Sequence, residues 1–328
     1  MNRTRVTIAA ALLVALALPA RGQVKLGGYL SLEYIKGQAD SDYSRGDVEN
    51  LLAGFLARGE IERKVGFALE ARAFGVSSFD LVQAWAGFFP SKTFTARAGL
   101  FLVPFGAWNL ANRPHETLLI RTPLNLEYIY PAFWRELGLV IEGEISGLTY
   151  AAYIGNGLAE MDGPVQAQQF SDNNADKAKG GRLGLIIGQT IRAGVSFYTG
   201  KYDDLNMRDL ILQGADLTWV TSLWEIHGEY TKGILENPQP FEKGRSEGFA
   251  IWTTMKYRTV QPIGSFQKVK YTDSYHGGGI DLDQRRWTAG LRWVVGSALF
   301  IKAEYNWNKV EGLDLKNNQF QVQMGLSF

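Results

Sequence analysis

The stretch Gln319–Phe328, Gln-Phe-Gln-Val-Gln-Met-Gly-Leu-Ser-Phe, alternates between apolar and polar residues. Phe320, Val322, Met324, Leu326 and Phe328 fall on one face of an extended chain; Gln319, Gln321, Gln323, Gly325 and Ser327 fall on the other. Successive side chains of a strand point to opposite faces, so such a strand has one greasy side and one polar side. A soluble sandwich contains strands of this kind too. Recurrence decides the reading. The alternation predicts strands at 26–36, 50–62, 64–74, 79–89, 93–102, 134–145, 147–156, 181–189, 191–200, 209–220, 222–233, 246–258, 262–273, 284–295, 297–308 and 318–328. These are about sixteen segments, each near the ~9–11 residues that a tilted strand needs to cross a bilayer. A membrane barrel requires the pattern because lipid lies outside and water or polar filling lies inside.

The connections between these segments carry an independent signal. Those at 63–64, 90–92, 146–147, 190, 221–222 and 296–297 are short, whereas those at 37–49, 103–133, 157–180, 201–208, 234–245, 274–283 and 309–317 are long. With the first strand running outward, every long connection falls on the outer side and nearly all short ones on the periplasmic side, the asymmetry of outer-membrane barrels. The short outer turn near Gly75–Ser78 is the exception. Trp219, Trp287, Trp293, Tyr305 and Trp307 lie near strand ends, where amphipathic rings meet the headgroups.

Residues 1–22 read as a secretory signal. Arg3 and Arg5 precede the apolar run Val6–Leu18, which ends in Pro19-Ala20-Arg21-Gly22. About 13 apolar residues fall short of the ~20 that a helix needs to span a bilayer. The expected organisation is a signal peptide over 1–22 and one barrel over 23–328. The absence of cysteine excludes disulfides and thiolate metal sites. With 34 basic and 33 acidic residues, global charge gives no reason to expect nucleic-acid binding. No nucleotide or zinc motif is present, and Gly277-Gly278-Gly279 has no helix after it to cradle a phosphate.

Three strings point to a family. They are Arg97-Ala98-Gly99-Leu100-Phe101-Leu102-Val103-Pro104-Phe105-Gly106, Tyr130-Pro131-Ala132-Phe133-Trp134-Arg135-Glu136-Leu137-Gly138 and Tyr150-Ala151-Ala152-Tyr153-Ile154-Gly155-Asn156-Gly157. In this order they resemble the phosphate-selective porin O and P family. The resemblance is best over about 80–160 and the last strand. It implies a trimeric, water-filled barrel of sixteen strands whose third outer loop folds into the lumen. That loop would be 103–133, independently the third and longest outer connection. Phosphate selectivity does not carry over, because the arginine ladder and lysine cluster behind it have no residue-by-residue match.

The alternation assigns charges to the inner face. Arg72 follows from Phe67, Leu69 and Ala71 on the other side, Arg97 from its alanine and leucine neighbours, and Glu136, Glu142 and Glu144 from Leu137, Leu139 and Ile141. Arg192, Arg286, Arg292 and Lys302 follow likewise, and Lys268 and Lys270 follow from Val269 and Tyr271 on the lipid side. Arg113 and Arg121 join this pore-lining set through the inserted loop. A charge facing mid-bilayer lipid costs ~2–4 kcal/mol, which gives the segregation its physical cause. The basic sector favours anions. His227, flanked by Glu225 and Glu229, is the one arrangement suited to a metal or a general base, and the alternative is a histidine of the lumen wall.

The expectation is an outer-membrane porin of Gram-negative bacteria that passes small hydrophilic solutes or ions with moderate anion preference. It has membrane lipid around it, a homotrimeric assembly, no catalytic residues, no cofactor and no metal. The alternatives are a substrate-specific, phosphate-type anion channel, a barrel enzyme of the phospholipase or protease type, and a structural barrel or adhesin with a filled lumen.

Overall fold

The computed structural model describes residues 23–75, 78–161, 163–272, 274–275, 281–296 and 298–328. The signal peptide, His276 and the triple glycine lie outside them. The strands are β1 (Val24–Gly37), β2 (Asp47–Glu62), β3 (Val65–Phe74), β4 (Ser78–Ser91), β5 (Phe94–Leu102), β6 (Arg135–Ile145), β7 (Leu148–Gly155) and β8 (Ala178–Ile187). They continue as β9 (Ile191–Lys201), β10 (Asp209–Val220), β11 (Trp224–Leu235), β12 (Gly244–Met255), β13 (Val260–Thr272), β14 (Gln284–Val295), β15 (Leu299–Val310) and β16 (Gln319–Ser327). Each pairs with its sequence neighbours, and β1 pairs with β16 to close a sixteen-stranded barrel. Every pairing is antiparallel; at the seam Leu30 stands opposite Leu326 and Tyr34 opposite Val322. Gly28 and Phe328 exchange backbone hydrogen bonds of 2.9 and 3.0 Å, extending the seam to the last residue. Closure leaves no unpaired strand edge, which a bilayer would not tolerate.

Short turns cluster at one end of the barrel and long connections at the other. The β6–β7 hairpin has Ser146 and Gly147 at φ +51° and +86°. Two successive left-handed residues give the primed turn whose twist matches the flanking strands. The outward faces form an apolar belt in which Leu139, Leu183, Val195 and Leu291 are each more than half exposed. Burial of apolar surface in lipid supplies the driving force that a soluble core supplies elsewhere. Trp219, Trp287, Trp293 and Trp307 stand on this outer surface, each between 41% and 48% exposed.

One face assignment is corrected. On β13 Gln267 and Val269 are buried, at 1% and 0% exposure, and Gln267 bonds an interior residue, Leu124. Phe266, one position away, packs against exposed Trp287 with ring centroids 5.3 Å apart. Lys268 and Lys270 share the parity of Phe266 and therefore face outward, not into the lumen. The alternation alone places Val269 and Tyr271 toward lipid. Here the inner face is the apolar one, because the interior opposite β13 is packed with protein.

Candidate functional site

That packing comes from residues 103–134, which link β5 to β6. Prolines punctuate this segment at 104, 114, 123 and 131, and it contains a 3-10 turn over Trp108–Ala111 and one α-helical turn, α1 (Leu124–Tyr128), preceded by Pro123. Prolines break strand pairing and favour such turns and helix starts. The segment leaves at the long-loop end yet reaches deep into the barrel. Lys302, the fourth residue of β15 counted from the short-turn end, donates to Pro114 O at 2.7 Å and Thr117 Oγ1 at 3.1 Å. Arg292, near the short-turn end of β14, donates to His115 O at 3.1 Å.

The segment is fastened to walls around much of the ring. On β3, Glu70 accepts two bonds from Arg113, at 2.8 and 2.6 Å. On β9, Ser196 accepts from Gly106 N. On β11, Glu229 accepts from Ala107 N and Trp108 N, both at 2.6 Å. Gly106 has φ +67°, and a Cβ there would stand 2.9 Å from the Glu229 carboxylate; glycine is what lets the chain turn against that oxygen. On β15, Glu304 accepts from Ile120 N at 2.9 Å. Side chains complete the attachment. Phe105 meets Tyr130 at 5.0 Å, Trp134 meets Tyr198 at 4.9 Å and Trp108 meets Trp252 at 5.3 Å between ring centroids. Buried aromatic pairs of this kind add ~0.5–1.5 kcal/mol each beyond their area.

The inward charges divide into two groups. Some are consumed in holding the segment. Lys302 (0% exposed), Arg286 (1%) and Glu136 (0%) are buried. Arg286 bonds Glu127 of α1 at 2.8 Å and Thr122 O at 3.0 Å, while Glu136 holds the next long connection instead, accepting from Gly157 N at 2.7 Å. Arg121 bonds Glu127 and Gln319. Burial disfavours the ionised Glu127, but Arg286 and Arg121 outweigh it and hold its carboxyl down at about 2. Arg113 is raised, since Glu70 and Glu116 overcome the cost of burying the guanidinium.

The other inward charges border open space. A cavity of about 400 Å³ at the long-loop end is lined by Glu33, Arg72 and Gln321 of the wall and by Arg121 of the segment, whose guanidinium is already bonded to Glu127 and Gln319. Arg72 lies under Phe133, its guanidinium carbon 3.5 Å from the ring centroid. A cavity of about 340 Å³ beneath the segment is lined by Glu116, Arg182, Arg192 and Asp216. A third, of about 620 Å³, opens at the short-turn end beside Lys25, Arg58 and Glu60. Arg97 and Glu142 pair across β5 and β6 at 2.6 Å, and Glu144 is exposed at the lumen-side parity of β6. Lys25, Arg58 and Arg182 were not singled out from sequence, although each has an apolar or glycine neighbour on both sides, the signature that marked the others.

His227 does not form a trio with Glu225 and Glu229. It bonds Glu225 at 2.9 Å and stacks on Trp252 at 5.3 Å, while Glu229 is committed to the segment backbone. No group of three metal-ligating side chains occurs among the described residues.

No family model matches the chain. A protein of Aquifex aeolicus (strain VF5), described as uncharacterized, is 25% identical over 223 residues. Those residues are 62% of this chain and 51% of that protein, so the match spans about half of the relative's length. Among solved structures, Salmonella typhi OmpF in complex with daunomycin superposes with a TM-score of 0.70 at 12% identity, over 93% of this chain and 97% of that one. A loop L8 deletion mutant of OmpT, an outer-membrane protein of Vibrio cholerae, gives 0.68 at 12% identity over 94% and 99%. The anion-selective porin from Comamonas acidovorans gives 0.65 at 12% over 94% and 99%. At such identities the likeness is one of fold. The chain is a transmembrane antiparallel β-barrel with the architecture of bacterial outer-membrane porins.

Proposed function

We propose that the protein is a passive porin of the bacterial outer membrane, assembled as a trimer, through which small hydrophilic solutes and ions diffuse past segment 103–134 without covalent chemistry. The observation that carries this reading is charged open space on both sides of the segment: Glu33 and Arg72 border it above, Arg182 and Arg192 below. A trimer form among the structural neighbours, that of Vibrio cholerae OmpT, supports the assembly, and the Comamonas porin, described as anion-selective, supports the ion preference. That preference is moderate, because carboxylates such as Asp216 and Glu116 share the same cavity. It rests on Arg58, Arg72 and Arg192, since Arg286 and Lys302 are covered. Positive charge along a narrow aqueous path raises the local anion concentration, and salt screens the effect.

The test is a reversal-potential measurement in a salt gradient. Arg58→Glu combined with Arg192→Glu should move the reversal potential toward cations at low salt and much less at high salt. An unchanged potential at both would remove these side chains from the permeation path. A second reading, a channel with a specific anion site in the manner of the phosphate-selective family, is favoured by Arg72. Its Nε and Nη2 are buried and make no hydrogen bond among the described residues. Saturation of chloride current by millimolar phosphate would select that reading over free diffusion.

A further inference from the structure

The outward-facing lysines corrected above belong to a larger arrangement. Lys268 on β13 stands directly opposite Arg285 on β14, and Arg285 directly opposite Lys309 on β15. All three share the parity of exposed Trp287 and Trp307 and so face outward. Directly opposed residues on neighbouring strands lie ~5 Å apart, and like charges so placed repel. Among the described residues, the only carboxylate paired with the row is Glu311, 3.4 Å from Arg285 and with a side chain 58% exposed. Lys270, one step farther toward the long-loop end, is also exposed and has Glu247 opposite it on β12.

Immediately below the row, toward the membrane centre, Phe266, Trp287 and Trp307 stand opposite one another in the same register. A row of rings marks the depth of the headgroups, so the cations one step above sit at the level of lipid phosphates. Elsewhere at this end of the barrel, outward basic residues do not stand directly opposite one another: Lys201 pairs with Asp209 at 2.7 Å, Lys179 with Asp176 at 4.0 Å, Lys36 donates to Ser44 O, Lys232 has Glu247 opposite it, and Arg245 has Ile234 and Thr272. The run of three directly opposed cations on β13–β15, with one exposed carboxylate at its edge, therefore differs from the general scatter of surface charge.

We propose that Lys268, Arg285 and Lys309 form a site for a lipid whose headgroup carries phosphate, with its acyl chains against the apolar belt and its phosphate oxygens between the three cations. Arginine offers a planar fork to phosphate oxygens and lysine a point charge. Three cations in a line ~10 Å long suit a headgroup with more than one phosphate better than a single one. The cross-strand repulsion is relieved when the anion is bound, so occupancy stiffens this side of the barrel.

The purified full-length barrel in neutral detergent is titrated with bis-phosphorylated lipid A, and retained lipid is counted by native mass spectrometry. The same titration is run with the phosphate-free form of that lipid and with inorganic phosphate. Wild type should retain the bis-phosphorylated lipid at least ten-fold more strongly than the phosphate-free form, and millimolar inorganic phosphate should not displace it. The triple variant Lys268→Gln, Arg285→Gln, Lys309→Gln should lose that advantage, while Lys36→Gln, Lys179→Gln, Lys201→Gln should keep it. Heat-dependent gel mobility identifies folded barrel. If the triple variant does not fold, the comparison of the two lipids on wild type still decides. Equal retention of the two lipids by wild type, or equal loss in both triple variants, overturns the site. A changed oligomeric state in the first variant with lipid retention intact would make the row a contact between copies and likewise overturn it.

Discussion

Removing one partner of the Glu70–Arg113 pair tests whether segment 103–134 is fixed to the wall or merely rests against it. Glu70 is fully buried and accepts from Arg113 Nε and Nη2, from Tyr29 Oη at 3.0 Å and from Gln83 Nε2 at 2.7 Å. Among the described residues, the side chain of Arg113, 6% exposed, keeps only Glu116 as a partner if Glu70 is lost. Stranding one charge of a buried pair costs ~3–5 kcal/mol. Because Glu116 remains, we expect Glu70→Ala to cost about 3 kcal/mol, near the lower limit of that range. Replacing both residues by methionine removes the stranded charge and fills most of the volume, so the double variant should lie within about 1.5 kcal/mol of wild type. In the cycle of Glu70→Met, Arg113→Met and the double variant, each single variant strands one charge at about 3 kcal/mol, so the coupling energy should be about 4–5 kcal/mol. Urea titration of barrel reconstituted in vesicles, followed by gel mobility, gives these differences. Open-channel current noise should rise in Glu70→Ala and return in the double variant, since the segment's other anchors confine the damage to its Arg113 end. A coupling below about 0.5 kcal/mol, the additivity expected of independent sites, would refute the claim that this pair holds the segment.

Three further outcomes are expected. Glu127, held at about 2 by Arg286 and Arg121 against the cost of burial, is a depressed carboxyl. Its contribution is complete above the ordinary carboxylate value near ~4.3 and is lost as pH falls toward 2. Wild-type conductance should accordingly stay level from pH 7 to 5, whereas Glu127→Gln should already be noisy at pH 7; a matching loss in wild type by pH 5 would contradict this. Deleting Phe328 removes both backbone bonds to Gly28, and the yield of folded barrel should fall; assembly equal to wild type would count against the seam's dependence on that residue. Mass spectrometry of the membrane-purified protein should find a chain beginning at Gln23, and an intact Met1 would disprove the reading of 1–22 as a cleaved signal.

Strand positions were legible because alternation is a local property that survives any tertiary surrounding. All sixteen segments expected from sequence correspond to strands, and the ends differ by a few residues at most. Faces were less legible. The rule that the apolar side faces lipid assumes a wet interior, and it holds where the lumen is open, as on β6 with Leu139 outward and Glu142 inward. On β13 it fails, because Ile263 and Val269 are apolar for the sake of a protein-filled interior, and Lys268 is polar because it reaches the rim. The segment's partners were illegible for a different reason. Lys302 and Pro114 are 188 residues apart, and no local pattern links a lysine on one strand to a carbonyl in a distant loop. Charge on an inner face could be read, but not whether water or protein would cover it.

The anchoring of segment 103–134 also bears on the order of events during assembly. Its partners on β3 precede it in the chain, but Ser196, Glu229, Gln267, Arg286, Lys302, Glu304 and Gln319 all follow it. A nascent barrel extending only to β12 would have Glu70, Ser196, Glu229 and Thr231 in place, but none of the side chains on β13–β16 that bond Pro114, His115, Thr117, Ile120, Arg121, Thr122 and Leu124. The segment reaches its final position only as the last four strands arrive, and those strands find much of their inner surface already shaped by it. Segment and late strands thus serve as templates for one another, and the ring can shut only around its own contents.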